Sequence, residues 1–504
     1  SSSQPLQHGI THSSGLICHF KMSSQQNNEQ KPPAIEGQPL VNLPSTYKLR
    51  LRQSLAACGP IIATLSCGMT SGFSAVLLPQ LSLDTSDIKI EPEEHSWIAS
   101  AAVLPMALGC IISGYLMEQY GRRPTQQFIC TLLAIGWVLL SLSNSLWFIF
   151  VGRVLTGLCV GLLGPVSIVY IAEVTDPHIR GTVLAGIPLA VSGGILCSHG
   201  LGTLLNWKMA AALCSIFPFI GCVLLYPAPE SPLWLVSKGK VPEAEINFRH
   251  LRGYSDSATK EMIVVLQKKD LISALSNSKF DKETLKQLLD PSFLKPFFIM
   301  NFFFFFQQFS GVNAVIFYSV SILNDVSSNI NEYLSTFIVD VVRVVMSVLA
   351  CILLKKFPRR TLAVSSAAGT GLSLFVLVFS MKCLSKEYSW ISLLSITFYT
   401  AFISIGLVPL PWIMIGEVFP QSLRELGSGC TSCFGFLVFF SVVKTSPYLK
   451  ASMGIEGTFS IYGTLAISGA IFLYFCLPET RNRTLQEIED GFKKTRNVTS
   501  LSVV

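Results

Sequence analysis

Charge is what this chain has least of. Only 13% of its 504 residues are Asp, Glu, Lys or Arg, while half are hydrophobic. Ordinary soluble domains carry about a quarter charged residues, so this composition cannot clothe a set of water-soluble domains. Acidic residues are missing altogether from 55–79, the first long apolar stretch. The sequence also lacks a Gly-rich phosphate cradle, a nucleophile–base pair and a metal-ligand cluster, which speaks against an ATP-driven pump and against an enzyme, and no cofactor is implied. No signal peptide opens the chain, so the first apolar stretch is expected to serve as the insertion signal. Cysteine is plentiful at 14 residues, but most fall inside apolar stretches and not in paired loops, so they read as small packing residues and not as a disulfide framework. CTSC at 430–433 has metal-type spacing, yet it sits in an apolar helix without a neighbouring histidine and is expected to hold no metal.

What is present is length in apolar runs. A bilayer takes on the order of 20 mostly apolar residues to cross, and about twelve such stretches occur, separated by short polar connectors. They fall near 55–79, 97–117, 125–143, 146–173, 182–203, 209–226, 294–323, 333–354, 361–382, 390–418, 426–444 and 457–477. Basic residues cluster in alternate loops: Lys48, Arg50 and Arg52, then Arg122 and Arg123, Arg180, the stretch 238–295, Lys355 to Arg360, Arg424, and Arg481 to Arg496. The intervening loops are poor in them, and 84–94 (DTSDIKIEPEE) is acidic. The positive-inside rule makes the basic side cytoplasmic, with both termini on it. The net charge of +7 then reads as a surface facing anionic lipid, with no nucleic-acid role. The sequons at Asn482 and Asn497 lie on that side, where glycosylation is not expected.

The halves repeat. Glu173 precedes Arg180 by seven residues and Glu417 precedes Arg424 by seven; YGRRP at 120–124 matches FPRRT at 357–361, and PESP at 229–232 matches PETR at 478–481. Landmarks matched at offsets of roughly 240–250 residues imply two parallel repeats, the construction of many secondary transporters, with substrate held near mid-membrane between them. The expected organisation is a Ser/Gln/Pro-rich disordered tail at 1–47, a six-helix bundle at 48–231, a linker at 232–292, a second six-helix bundle at 293–477 and a tail at 478–504. Glu118, Arg122, Arg123, Arg153, Glu173, Arg180, Glu417 and Arg424 are candidates for a cytoplasmic latch between helices, a bridge made in one state and broken in the other. The competing reading anchors some of these arginines in headgroups.

Together and in order, YGRR at 120–123, R-x-x-x-G-x-x-x-G from Arg153 to Gly161, YIAEVTDPHIRG at 170–181, PESPLWL at 229–235, LRG at 251–253, QQFSGVNAVIFYS at 307–319 and PETRNRTLQEIE at 478–489 mark a family. The chain resembles the sugar porters of the major facilitator superfamily, which include the facilitative glucose transporters. SGFSAVLLPQL, NW at 206–207 and PLPW at 409–412 look most like the insect facilitated trehalose transporters. The resemblance implies an all-α membrane protein of twelve transmembrane helices in two bundles, with short intracellular helices over 232–292. It further implies a monomeric, multi-pass plasma-membrane carrier of a small neutral sugar, trehalose or a hexose, in contact with membrane lipid.

Span seven carries three amides, Gln307, Gln308 and Asn313, in an otherwise oily run. An amide offers donors and an acceptor, which suits the hydroxyls of a neutral polyol. On an unbroken helix Gln308 and Asn313 would point about 140° apart at ~100° per residue, but Ser310-Gly311 lies between them and allows a break that turns all three one way. Interhelical hydrogen bonding is the alternative role for these amides. The resemblance supports sugar contact for them and places an aromatic plate at Trp412, after Pro409 and Pro411. Departures from the family pattern stand at Pro188, Arg343 and Gly435, where amide positions are expected, at Lys355 and Pro358 in the second R-R motif, and at Leu233. Arg343 lies about 15 Å deep at ~1.5 Å per residue, and Asp340, three residues earlier, is its natural ion-pair partner. A role in the pathway, donating to a hydroxyl or attracting an anion, is the other reading of Arg343. With no acid in span one, the expected mechanism is uniport by alternating access. A weakly transporting sugar sensor and a carrier of an anionic solute through Arg343 are the competing functions.

Overall fold

The computed structural model describes residues 46–83, 88–253, 288–326, 332–383, 389–420 and 423–481, with 483, 487–488 and 491–492. Residues 1–45 of the tail expected at 1–47 and most of that at 478–504 lie outside the described residues, as does 254–287 of the linker; Thr46 and Tyr47 already belong to the first helix. The described chain is helical, with eleven helical stretches long and apolar enough to cross a membrane. The last of these, within Arg424–Cys476, contains a break: Gly454 adopts φ 73°, ψ 175° inside it. A continuous helix of that length would measure about 80 Å at ~1.5 Å per residue, far more than a hydrocarbon core of about 30 Å, so the glycine divides spans eleven and twelve. The total is the twelve that hydropathy implies.

Large apolar side chains face outward along the spans, among them Trp147, Phe148, Phe219, Val345 and Phe379, while Trp137, Tyr170, Phe303, Phe304 and Tyr399 are fully enclosed. An outward apolar band on this scale belongs against lipid and not water. Inside the bundles, small residues let helices meet backbone to backbone, as membrane helices commonly do. A Cβ on Gly157 would stand 1.8 Å from the Ala102 carbonyl and one on Gly161 2.1 Å from that of Met106, so spans two and four could not meet as they do with larger residues there.

The repeat is visible in detail where the helices begin at the two R-R motifs. Glu230 accepts from the backbone N–H groups of Arg122 (3.1 Å) and Arg123 (3.2 Å), and Glu479 accepts from those of Arg359 (3.0 Å) and Arg360 (3.1 Å). A carboxylate here satisfies orphan donors at the positive end of each helix, Arg122–Ser141 and Arg359–Cys383. Arg123 donates to the Tyr226 carbonyl, four residues before Glu230, and Arg360 to that of Tyr474, five before Glu479, so the pattern repeats within one residue. The cap holds in the second half although Pro358 occupies the place of Gly121, where a φ of 99° and the 2.4 Å at which a Cβ would meet Glu230 demand glycine in the first. Of the expected linker helices, Pro232–Ser237 and Val241–Arg252 are described; they share a small cluster of Leu235, Val236, Ala244 and Phe248.

Candidate functional site

Span seven breaks where the glycine allows it. The helix Pro291–Phe309 ends at Ser310, Gly311 adopts a left-handed φ of 86°, and the chain resumes as Val312–Phe317 and then Ser319–Val326. The break brings the three amides into one chain. Asn313 Nδ2 donates to Gln308 Oε1, Gln308 Nε2 donates to Gln307 Oε1 (3.2 Å), and Gln307 Nε2 donates to the Val408 carbonyl (3.0 Å). Gln307 and Gln308 are each only 2% exposed.

Val408 marks a second break, in span ten, between Ser389–Ile405 and Pro409–Met414. Proline has no N–H to donate to the preceding turn, and the helical pattern lapses just before Pro409: the Val408 N–H reaches back to the Ile403 carbonyl (3.0 Å) and the Leu407 N–H turns to Ser366 Oγ (2.8 Å). Trp412, just beyond, is half-buried between Phe304 (4.8 Å, edge-on) and Phe436 (5.3 Å). Phe304 also explains Gly435: a Cβ there would lie 2.8 Å from the phenylalanine ring, which leaves no room for an amide. Tyr399 Oη donates to the Ser310 carbonyl at the break (3.0 Å), and the Tyr462 ring packs on Gly311 with its hydroxyl buried near Ser446. Broken helices lined by amides, tyrosine hydroxyls and a plate of aromatics can bind a molecule rich in hydroxyls without using charge.

Arg343 is buried and its Nη1 lies 2.6 Å from Asp340 Oδ1. The other Asp340 oxygen meets His199 Nδ1 of span five, in the first half of the chain. Sequence reasoning missed His199; its signal was a single ionisable residue inside an apolar span, which is rare and costly there. It also missed the capping role of Glu230 and Glu479, although the repeated PE dipeptide was in view.

The latch candidates divide. Arg122 pairs with Glu173 (3.0 Å) and Arg359 with Glu417 (3.5 Å), each within one half of the chain. Glu417 also accepts from the Thr480 hydroxyl, and Arg123 is bound at Tyr226 and Glu230. Arg180 Nη2 reaches the Thr175 carbonyl (3.4 Å), and Arg424 Nε and Nη2 are buried without partners among the described residues. The Glu118 side chain is exposed. Arg153 needs correction as a latch residue. It is fully buried about 30 Å along its helix from Glu173, at ~1.5 Å per residue, and so near the opposite membrane face. There it donates to the Thr70 carbonyl (3.0 Å), Ser74 Oγ and the Ile98 carbonyl (3.4 Å). Its place in R-x-x-x-G-x-x-x-G fixed its helix but not its depth.

On that opposite face the halves also meet through Lys444 of span eleven. Its ammonium lies 3.7 Å from the Trp97 ring centroid and 2.7 Å from Ser96 Oγ, both at the start of span two.

Two repeats of six spans, each with a capped R-R helix start, enclosing discontinuous helices with polar groups at the breaks, define a secondary carrier. The profile of the family described as "Sugar (and other) transporter" matches residues 54–492. The facilitated trehalose transporter Tret1 of Apis mellifera ligustica is 34% identical over 456 residues, 89% of each chain. That of Bombyx mori is 32% identical over 468 residues, 90% of each chain. Among solved structures, the xylose transporter XylE from E. coli in an inward-open conformation superposes with a TM-score of 0.71 at 23% identity, covering 86% of this chain and 98% of that one. The proton:xylose symporter XylE bound to 6-bromo-6-deoxy-D-glucose gives 0.71 at 24%, covering 88% and 99%. The chain belongs to the sugar transporter family and has the two-bundle major facilitator fold; its relatives are transporters and not enzymes.

Proposed function

We propose that the protein is a facilitative carrier of a neutral sugar, trehalose or a hexose, in the plasma membrane, with its basic face and both termini cytoplasmic. The observation that carries this reading is the continuous amide chain from Asn313 to Val408, which ties the break in span seven to the break in span ten. In this proposal the amides exchange hydrogen bonds with sugar hydroxyls, Trp412 packs on the sugar ring, and the bundles 48–231 and 293–477 rock about the site. The names of the relatives favour trehalose.

Uniport is supported by the surroundings of Arg153. A buried guanidinium near span one is the natural partner of a titrating carboxylate, yet here its described partners are carbonyls and a hydroxyl, and 55–79 contains no acid. The Arg343 guanidinium is buried and held by Asp340 at 2.6 Å, which weighs against its reaching an anionic solute. Uptake of labelled trehalose, glucose and a sugar acid into proteoliposomes tests the reading. Saturable flux of a neutral sugar that stops when its own gradient is abolished is expected. Uphill accumulation driven by a pH gradient would overturn uniport, flux of the sugar acid alone would support the anion carrier, and binding without flux would support the sensor.

A further inference from the structure

The seam between spans five and eight joins the two halves of the chain. Ser192 and Ser347 hydroxyls meet at 2.7 Å, the Cys351 thiol approaches the Ala185 carbonyl at 3.8 Å, and His199 bonds to Asp340. Only the last contact pairs two ionisable side chains, one from each half, and both are almost wholly enclosed, at 2% and 1% exposure.

The proton count at this pair follows from its neighbours. His199 Nε2 lies 3.1 Å from the Gly72 carbonyl of span one. A carbonyl oxygen can only accept, so Nε2 carries a hydrogen. The bond from Nδ1 to the carboxyl then needs a second proton between them. Without it, the Nδ1 lone pair faces the lone pairs of a carboxylate and the contact is repulsive. The Arg343 guanidinium on the other Asp340 oxygen favours the carboxylate, which leaves the second proton on the imidazole. Around the pair, span eight supplies Arg343, span ten supplies Tyr399, span twelve supplies Tyr462 beside Tyr399, and span one supplies the Gly72 carbonyl.

We propose that His199 and Asp340 form a proton-dependent lock between the two bundles. With the proton on Nδ1, a charge-assisted bond crosses the seam and resists separation of spans five and eight. When the proton leaves to water, that bond is lost and the seam keeps the Ser192–Ser347, Cys351–Ala185 and Lys355–Thr182 contacts. Raising pH therefore loosens the seam and eases the rocking motion.

Hydrogen exchange read by mass spectrometry on the full protein in lipid nanodiscs tests this without any sugar present, so its outcome does not depend on the transport reading. Exchange in peptides from 186–204 and 332–356 is compared with that in 122–141 of the same molecules, which cancels the chemical pH dependence of exchange. Relative to that internal control, wild-type seam peptides are expected to exchange at least ~5-fold more slowly at about pH 6 than at about pH 8.5. In His199→Gln and in Asp340→Asn the ratio is expected to be the same at both pH values. An unchanged ratio in wild type would overturn the lock, as would a full wild-type pH response in His199→Gln.

Discussion

A polar side chain placed in a span must find its partner inside the protein, and the partner it finds decides its role. Gln308 is the middle of the amide chain, accepting from Asn313 and donating to Gln307. Gly311 makes that arrangement possible. Alanine there would meet the left-handed φ of 86° and place its Cβ 2.5 Å from the Tyr462 ring. The strain alone is about 1–2 kcal/mol. Gly311→Ala is therefore expected to lower the melting temperature and cut transport at least ~5-fold, read by thermal unfolding and by flux on the same preparation. Equal stability and flux would mean that the break matters little. Gln307, Gln308 and Asn313 were legible in the sequence because amides stand out against phenylalanine. The partners Val408 and Tyr399 were not, since a backbone carbonyl and a tyrosine among apolar residues carry no sequence signal until the chain is folded.

Elements in this fold begin and end on carboxylates as much as on hydropathy. Glu230 sits in the loop after span six, where burial pushes its carboxyl above the ordinary value against the pull of the Ser231, Arg123 and Arg122 N–H groups and the Arg122 charge. A raised carboxyl favours its protonated form in the folded protein. The stability it lends is present below the ordinary carboxylate range and is lost as pH rises through the raised value. Glu230→Gln removes that titration. The melting temperature of wild type relative to Glu230→Gln is expected to fall as pH rises through this window, measured by differential scanning fluorimetry; parallel profiles would contradict it. The repeated R-R and PE motifs announced two matching elements, whereas their hydrogen-bonded closure required three dimensions. The break between spans eleven and twelve was legible as a gap in hydropathy, and the structure shows that a single glycine, Gly454, makes it. Sequence spacing misjudged Arg153 because a motif states which helix a residue is on and not which face it approaches.

On the face opposite the R-R motifs the two halves of the chain meet through a contact that the sequence did not reveal, Lys444 over Trp97 with a bond to Ser96. The two residues lie in different halves of the chain, and neither has a counterpart that draws notice. A cation–π contact is worth roughly 0.5–2 kcal/mol, enough to shift a two-state balance by about twofold to thirtyfold. Lys444→Met is expected to populate a state open on that face, seen as longer distances between spin labels on the facing ends of spans two and eleven. An unchanged distance distribution would remove this contact from the gating. Two bundles and twelve spans were readable from hydropathy, charge alternation and the repeat, because each reflects a bilayer acting on the chain. Contacts between bundles were not, since they bring together residues far apart in sequence that no periodicity links.

The amide chain is the centre of the account, and flux through a folded Gln308→Ala carrier tests it most directly. With wild-type melting behaviour retained, counterflow of the transported sugar in proteoliposomes is expected to show kcat/KM at least ~10-fold below wild type, with Asn313→Ala weakened in the same direction. Wild-type counterflow kinetics in a folded Gln308→Ala protein would contradict the account and place sugar recognition elsewhere in the molecule.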